Sequence, residues 1–222
     1  MSEKILICGH RSFVATGLGD VMSKHEINYD CFSRGETRRV GNVVTGDVMN
    51  MVANPELKRY DTVINFIILK NASIDQNLAY IQSLLAFCKQ IGVKHLIQIS
   101  SIAVYPGDAE YVNENSELET VGNKSGYAAI KLAVDKYLLE HPVEGMHITF
   151  VRPGFVYAKN AEVSKAGLVV SKCGVHVLMG DKKTVLPKIN RVDLHEALIR
   201  IALAEETNNV YLVFNSNAGQ TK

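Results

Sequence analysis

The 222-residue sequence predicts an α/β fold built on a doubly wound parallel sheet. Three features point there. Short, nearly continuous apolar runs, such as Ile5-Leu-Ile-Cys8 and Val63-Ile-Asn-Phe-Ile-Ile68, suit strands buried on both faces. Stretches with apolar residues at helical spacing lie between such runs, and the two patterns alternate along the chain. The first run ends at Gly9 and passes through a tight loop into a helical pattern, the order in which a strand, a turn and a helix N-terminus face an anion.

In chain order, residues 4–8 form the first strand, and the loop Gly9-His-Arg-Ser-Phe-Val-Ala15 leads into a helix through about Lys24. A second strand over 28–33 ends at Ser33-Arg34, and a third over 42–46 is followed by Asp47 and a short helix to about Arg59. Residues 61–68 read as a fourth strand. The helix over 73–91 carries Ile74, Leu78, Ile81, Leu84, Leu85 and Cys88 on one broad face and stops at Gly92. The fifth strand, 95–99, delivers Ser100-Ser101 at its carboxyl end, where ligands of open α/β sheets bind. A polar loop then precedes the helix 125–140, in which Ile130, Val134, Tyr137 and Leu138 recur at helical spacing. A sixth strand, 147–152, ends at Arg152-Pro153-Gly154. The region 157–182 is less regular, with a helix expected near 161–172 and a short strand near 183–187. A helix over 192–205 and a strand over 210–214 complete the set. Two parts are expected: a dinucleotide-binding domain over 1–156, and a small substrate-binding part over 157–222 whose helix and strand return to the main domain.

The bulk numbers exclude several classes. The chain is 47% hydrophobic and 21% charged with a net charge of +1, so nothing draws it to nucleic acid or an anionic membrane. No apolar run approaches the roughly 20 residues of a membrane span, and the apolar stretch near Met1 is too short for a signal peptide. Cys8, Cys31, Cys88 and Cys173 lack metal spacing, and the first three fall in apolar segments as buried thiols, which suits a reducing cytoplasm. The seven histidines show no i,i+4 pairing with one another, and no metal is expected.

Chemistry is signalled by Tyr127-Ala-Ala-Ile-Lys131. One helical turn apart, an ammonium favours the phenolate and lowers the tyrosine from its usual value of about 10, bringing a general acid/base nearer neutral pH. Taken alone, the pair is equally a surface Tyr and Lys. In the loop 9–15 the backbone N–H groups face a pyrophosphate. Gly9 holds the first glycine place, but Ser12 and Ala15 stand in the second and third; the Ser12 Cβ crowds the phosphate while its hydroxyl can bond an oxygen. An ordinary βα turn is the plainer alternative. After the second strand an acidic residue would hold the ribose diol of NAD; Arg34, with Arg38 and Arg39, leans instead toward the 2′-phosphate of NADP, and Arg11 reaches the same place. A solvated charge run is the plainer reading of those arginines. Asp47 is an N-cap or an acceptor for the adenine amino group.

In this order the motifs resemble the extended short-chain dehydrogenase/reductase family, the NAD-dependent epimerases, dehydratases and reductases of nucleotide sugars. The degenerate glycine loop, Gly46-Asp47, Asn77, Ser100-Ser-Ile-Ala-Val-Tyr105, Tyr127-x-x-x-Lys131, Arg152-Pro-Gly-Phe-Val-Tyr157 and the helix at Val192-Asp193 carry the likeness over nearly the whole chain. Gly9-His10-Arg11 and Ser101-x-x-x-Tyr105-Pro106 are most similar to the NADP-dependent GDP-fucose synthase branch. The resemblance implies a Rossmann fold with a reduced C-terminal part, and a homodimer paired through the 73–91 and 125–140 helices. It implies a catalytic set of Ser101, Tyr127 and Lys131: Tyr127 moves the proton, Ser101 stabilises the substrate oxygen, and Lys131 holds the nicotinamide ribose. Gly9, Arg11, Ser12 and Phe13 would cradle the pyrophosphate, with Arg34, Asp47 and Val48 at the adenosine. Asn65 and Phe66 would line the centre of the cofactor, and Pro153 and Val156 the nicotinamide wall. Asn77 would position a water or the backbone near Lys131, or simply lie on the helix surface. Ile102 replaces that branch's cysteine, and Ile102-Ala103 supply neither acid nor base, which argues against double epimerisation and dehydration. Reduction and 4-epimerisation both stay open, as do NADP and NAD. The alternative to an enzyme is a non-enzymatic NADP-binding sensor on the same fold.

Overall fold

The computed structural model describes residues 4–109, 111–158, 169–172, 175–178 and 187–215. Its centre is β1 (Lys4–Cys8), whose five residues are buried or nearly so. The side chains alternate: Ile5 and Ile7 enter one hydrophobic core, Leu6 and Cys8 the other. Ile64 and Val63 of β5 (Thr62–Asn65) and Ile97 and Leu96 of β6 (His95–Ile99) divide the same way. That alternation explains the near-continuous apolar runs, because each face is covered by helices. On one face lie α2 (Ile74–Ile91) and α3 (Gly126–Glu140); on the other lie α1 (Leu18–Lys24) and α4 (Arg191–Leu203).

β1 pairs in parallel with β2 (Asn28–Arg34) on one side and with β5 on the other. Beyond β2 come β4 (Val43–Gly46) and the antiparallel β3 (Arg38–Val40); beyond β5 come β6, β7 (His147–Pro153) and β12 (Val210–Val213). The chain therefore reverses its direction of sheet growth between β1 and β5, the crevice where such sheets bind ligands. β8 (Phe155–Tyr157) pairs with β11 (Lys188–Asn190), and β9 (Val169–Lys172) with β10 (Val175–Leu178).

The helix α2 has the ends its sequence announces. Ser73 and Gln76 form a reciprocal capping box, and Gly92 closes the helix in the left-handed region at φ 71°. Elsewhere the structure departs from the sequence reading. The helix expected after Asp47 is only a 3-10 turn, Val48–Ala53, broken at Asn50. β5 stops at Asn65 because the Asn65 Oδ1 accepts from Ile67 N at 3.1 Å and turns the chain. The described part of the helix expected near 161–172 is instead the strand β9, consistent with its β-branched Val169-Val170; residues 161–168 lie outside the described residues. So do 183–186 of the expected strand, and the pairing strand found is Lys188–Asn190. Cys8, Cys31 and Cys88 are buried free thiols, and Cys173 lies outside the described residues.

One correction bears on function. Arg38 and Arg39 belong to β3, where Arg38 stays exposed and Arg39 is half-buried. Arg39 Nη2 donates to Asp30 Oδ2 at 3.0 Å and to the Glu56 carbonyl at 2.6 Å. Asp30 also accepts from Tyr60 at 2.6 Å and pairs with Lys4 at 2.9 Å. Arg39 is thus a structural anchor of the sheet edge, with its guanidinium already engaged, and not a phosphate reader.

Candidate active site

At the carboxyl ends of β1, β2, β4 and β5 lies a cavity of about 500 Å³, lined by Gly9, Ser33, Arg34, Val48, Met49 and the loop Ile67–Lys70, with Ala72 and Gln76 at the start of α2. Gly9 is required there twice over. Its φ is +84°, and a Cβ would sit 2.8 Å from Ile67 Cγ1. The loop after β5 can approach β1 this closely only because that side chain is missing. Ser33 is 7% exposed and its hydroxyl has no hydrogen-bond partner, so the end of β2 presents an unspent polar group beside the open guanidinium of Arg34. Ser33 escaped the sequence reading, as did Met49 and the Ile67–Lys70 loop.

The phosphate loop differs from the expected strand–loop–helix. Ser12 caps a turn of its own: Ala15 N donates to Ser12 Oγ at 3.2 Å and Thr16 N to the Ser12 carbonyl at 2.9 Å. Gly17, at φ 92°, then separates that turn from α1, which begins only at Leu18. A seven-residue helix set back behind a turn offers little dipole to an anion. Arg11 is exposed in the loop. Phe13 is held from α4: Arg191 donates to its carbonyl at 3.1 Å and lies over its ring, 5.1 Å from the centroid. His195 bonds the next carbonyl, that of Val14, at 2.7 Å.

Asp47 acts as the N-cap, its Oδ1 accepting from Met49 N at 2.9 Å, and Val48 behind it lines the cavity. Asn65 is fully buried: it donates to Gln98 Oε1 at 2.8 Å and accepts from Tyr80 at 2.7 Å and from Ile67 N. Its side chain therefore shapes the loop instead of facing the cavity, and Phe66 packs into the core. Asn77 does not lie on the surface. It is 1% exposed and clamps Leu69, accepting from its N–H at 2.9 Å and donating to its carbonyl at 3.3 Å. A buried amide satisfied by a loop backbone leaves no periodic trace in a sequence. Pro153 is buried at the end of β7, and Val156 packs against the α1–α4 core. Gly154 admits the Pro187 carbonyl so closely that any Cβ would collide with it, which brings β11 beside β8.

Three bonds surround Ser101. Lys131 Nζ donates to the Ile99 carbonyl, Ser100 Oγ donates to Asp135 Oδ2 at 2.7 Å, and Tyr105 accepts from Arg152 Nη1 at 2.7 Å. Ser101 itself starts a short 3-10 turn, Ile102–Val104, its Oγ accepting from Ala103 N at 3.2 Å. Among the described residues its hydroxyl proton has no acceptor. Tyr127, Lys131 and Asp135 follow at four-residue steps along one face of α3. Lys131 is 3% exposed, with Nζ 5.7 Å from the Tyr127 ring centroid, and burial lowers it to about 8 against the pull of Asp135.

Tyr127 is 54% exposed and accessible, yet desolvation by the surrounding protein, joined by the negative charge of Asp135, pushes its phenol up to about 12. The expected lowering of Tyr127 by Lys131 is not found in the structure: the ammonium bonds Ile99, and Asp135 offsets its field. Sequence reasoning missed Ser100, Tyr105, Asp135 and Arg152 as a connected set, although the Asp135 spacing from Lys131 was there to be read.

Among the described residues no cluster of three or more metal-ligating side chains occurs, and no helix is long and apolar enough to cross a membrane. Comparison with solved structures gives the same fold repeatedly at low identity. The dTDP-glucose 4,6-dehydratase of Bacillus anthracis in complex with NAD aligns over 97% of this chain and 76% of its own, with a TM-score of 0.71 at 16% identity. The UDP-glucose 4-epimerase of Thermus thermophilus in complex with NAD aligns over 95% and 77%, with a TM-score of 0.70 at 19% identity. The terminal R domain from the myxalamid PKS-NRPS biosynthetic pathway aligns over 96% and 66%, with a TM-score of 0.73 at 16% identity. No curated protein matches the sequence significantly. A family model does match, over residues 5–213, and with the site geometry above it places this chain in the NAD dependent epimerase/dehydratase family.

Proposed function

We propose that the chain is an NADP-dependent oxidoreductase acting at a carbonyl or hydroxyl carbon of a nucleotide-linked sugar, with Tyr127 as proton donor, Ser101 at the substrate oxygen and Lys131 at the nicotinamide ribose. The observation that carries this reading is the cavity at the β1/β5 switch point, with the Tyr127–Lys131 face of α3 stapled to the end of β6 beyond it. The residues present fit the adenosine end of a dinucleotide: Gly9 in the cavity wall at φ +84°, and the unpartnered, buried Ser33 hydroxyl beside Arg34. No residue lining the cavity is acidic, while Arg34 and Lys70 bring positive charge, which favours a 2′-phosphate over a bare ribose diol. The NAD of the Thermus and Bacillus neighbours supports NAD as the second reading.

A bound nicotinamide supplies the hydride; the chain's own groups handle the proton. At pH 7 Tyr127 is a neutral phenol, the protonated form that the reducing direction requires, and its raised pKa makes it a reluctant donor until charge develops on the carbonyl oxygen. The Ser101 hydroxyl would stabilise charge developing on that oxygen. Membership in an enzyme family and the Ser101–Tyr127–Lys131 set weigh against the sensor reading.

Titration with NADPH and NADH, followed by reduced-nicotinamide fluorescence, tests the cofactor. NADPH should bind at least about tenfold tighter, and Arg34→Ala should erase most of that difference; equal affinities would transfer the case to NAD. Tyr127→Phe should bind NADPH as the wild type does and lose turnover of 4-keto nucleotide sugars by about a hundredfold or more. Retained turnover would remove Tyr127 from this role.

A further inference from the structure

Asp135 lies one turn beyond Lys131 and two beyond Tyr127 on α3, and it is 0% exposed. Its Oδ2 accepts from Ser100 Oγ at 2.7 Å and from Arg152 Nε at 3.1 Å, and the Arg152 Nη2 stands 3.1 Å away. The other oxygen, Oδ1, is buried without a hydrogen-bond partner. Arg152 is 2% exposed and Lys131 3%. Arg152 thus pairs with one dry carboxylate, and a second dry cation, Lys131, stands one helical turn away from it. Burying charges in this way weakens a fold unless each is well paired, and here the sharing leaves an excess of one positive charge. Nothing about the fold alone demands it, since an apolar residue would fill the space more cheaply.

Asp135 bonds Ser100 at the end of β6 and Arg152 of β7, which in turn bonds Tyr105 after the turn that follows Ser101, while Lys131 and Tyr127 lie one and two turns back on α3 and act on it through charge. We propose that Asp135 is a positioning residue, the counter-charge that keeps the buried Lys131 ammonium protonated while its bonds to Ser100 and Arg152 fix the two strand ends that flank Ser101. This rests on the reading of Tyr127 and Lys131 as the acid/base pair. Desolvation drives Lys131 toward neutrality and the charge of Asp135 opposes it; desolvation likewise raises the Asp135 carboxyl, which Arg152, Ser100 and Lys131 pull back. The surplus positive charge of the trio is what an anionic oxygen at Tyr127 would balance as its proton leaves.

The test needs neither cofactor nor substrate, so its outcome is separate from that of the NADPH titration. Protein labelled with 13C-lysine reports the Lys131 ε-methylene, assigned by its absence in Lys131→Arg. Its pH midpoint should lie near 8 in the wild type. In Asp135→Asn it should fall by about one unit or more, a tenfold loss of ammonium at a fixed pH, and in Asp135→Glu it should return toward the wild-type midpoint. A purely structural role for Asp135 would lower the melting temperature and leave the midpoint in place, and that result overturns the proposal. Asp135→Asn also strips Arg152 of its partner, so a second measurement dispenses with the variant. In wild-type protein labelled with 13C-aspartate, the Asp135 carboxyl carbon should step at the Lys131 midpoint. A flat signal through that range overturns the proposal equally.

Discussion

Asp30 and Asp135 are both buried carboxylates on the sheet's helix-covered faces, and both meet two cations, yet they are held in opposite ways. Asp30 is bonded by Arg39, Tyr60 and Lys4, and the side chains of Arg39 and Lys4 keep 23% and 26% of their surface in water. Burial pushes Asp30 up, but those bonds outweigh it and hold the carboxyl below the usual range. Asp135 has Arg152, 3% exposed at the side chain, and the equally dry Lys131. There burial prevails and the carboxyl is raised. Burial opposes the charge at both sites; the bonds to Asp30 outweigh it and those to Asp135 do not. A half-wet pair anchors a sheet edge cheaply. A fully dry one is a liability, and it stands on the α3 face that carries Tyr127 and Lys131, bonded to Ser100, as perturbed groups tend to do at working sites.

The contrast can be broken from either side. The largest effect should come from Arg152→Met, which leaves Asp135 without its main counter-charge and should cost about 3–5 kcal/mol in urea unfolding. A loss below about 1 kcal/mol would mean that Asp135 is uncharged in the folded chain and that the comparison fails. Arg39→Ala should cost about 1–3 kcal/mol at pH 7. That loss should fade in acid. The folded carboxyl of Asp30 is lowered, so its contribution is present above the unfolded value of about 3.9 and is lost as pH falls through the folded one. A penalty unchanged at pH 3 would detach Arg39 from Asp30. The smallest effect belongs to the neighbouring Arg38→Ala, which removes an exposed side chain and should stay within about 0.5 kcal/mol. A larger loss there would show that the arginine of this pair which matters had been misassigned.

Much of this was legible in the sequence for a simple reason: strands covered on both faces and helices covered on one leave periodic traces. β1, β2, β6, α2 and α3 fall within a residue or so of their expected limits. β3 was not legible, because a strand of Arg38, Arg39 and Val40 looks like a charge run until Asp30 and Tyr60 are placed beside it. Asn65 and Asn77 misled in the same manner, since an amide that braces a loop backbone reads like an amide that faces solvent or ligand. The setback of α1 behind the Ser12 turn depends on Gly17 adopting a left-handed conformation, which the letter alone does not announce. Tyr127 and Lys131 were readable as a pair, but their ionisation was not. It is set by Asp135 and by burial, and burial is a property of the packed chain.

The clasp of α4 on the phosphate loop has a consequence in time. The carbonyls of Phe13 and Val14 are held by Arg191 and His195, 178 and 181 residues further along. A ribosome adding about 5–20 residues per second needs roughly ten to forty seconds to cover that distance. Through that interval the loop exists as sequence but lacks its brace, and β12, which closes one edge of the sheet, has not yet been made. A nascent chain therefore carries this loop unclasped while its first strands emerge. The clasp closes only once synthesis has passed residue 195.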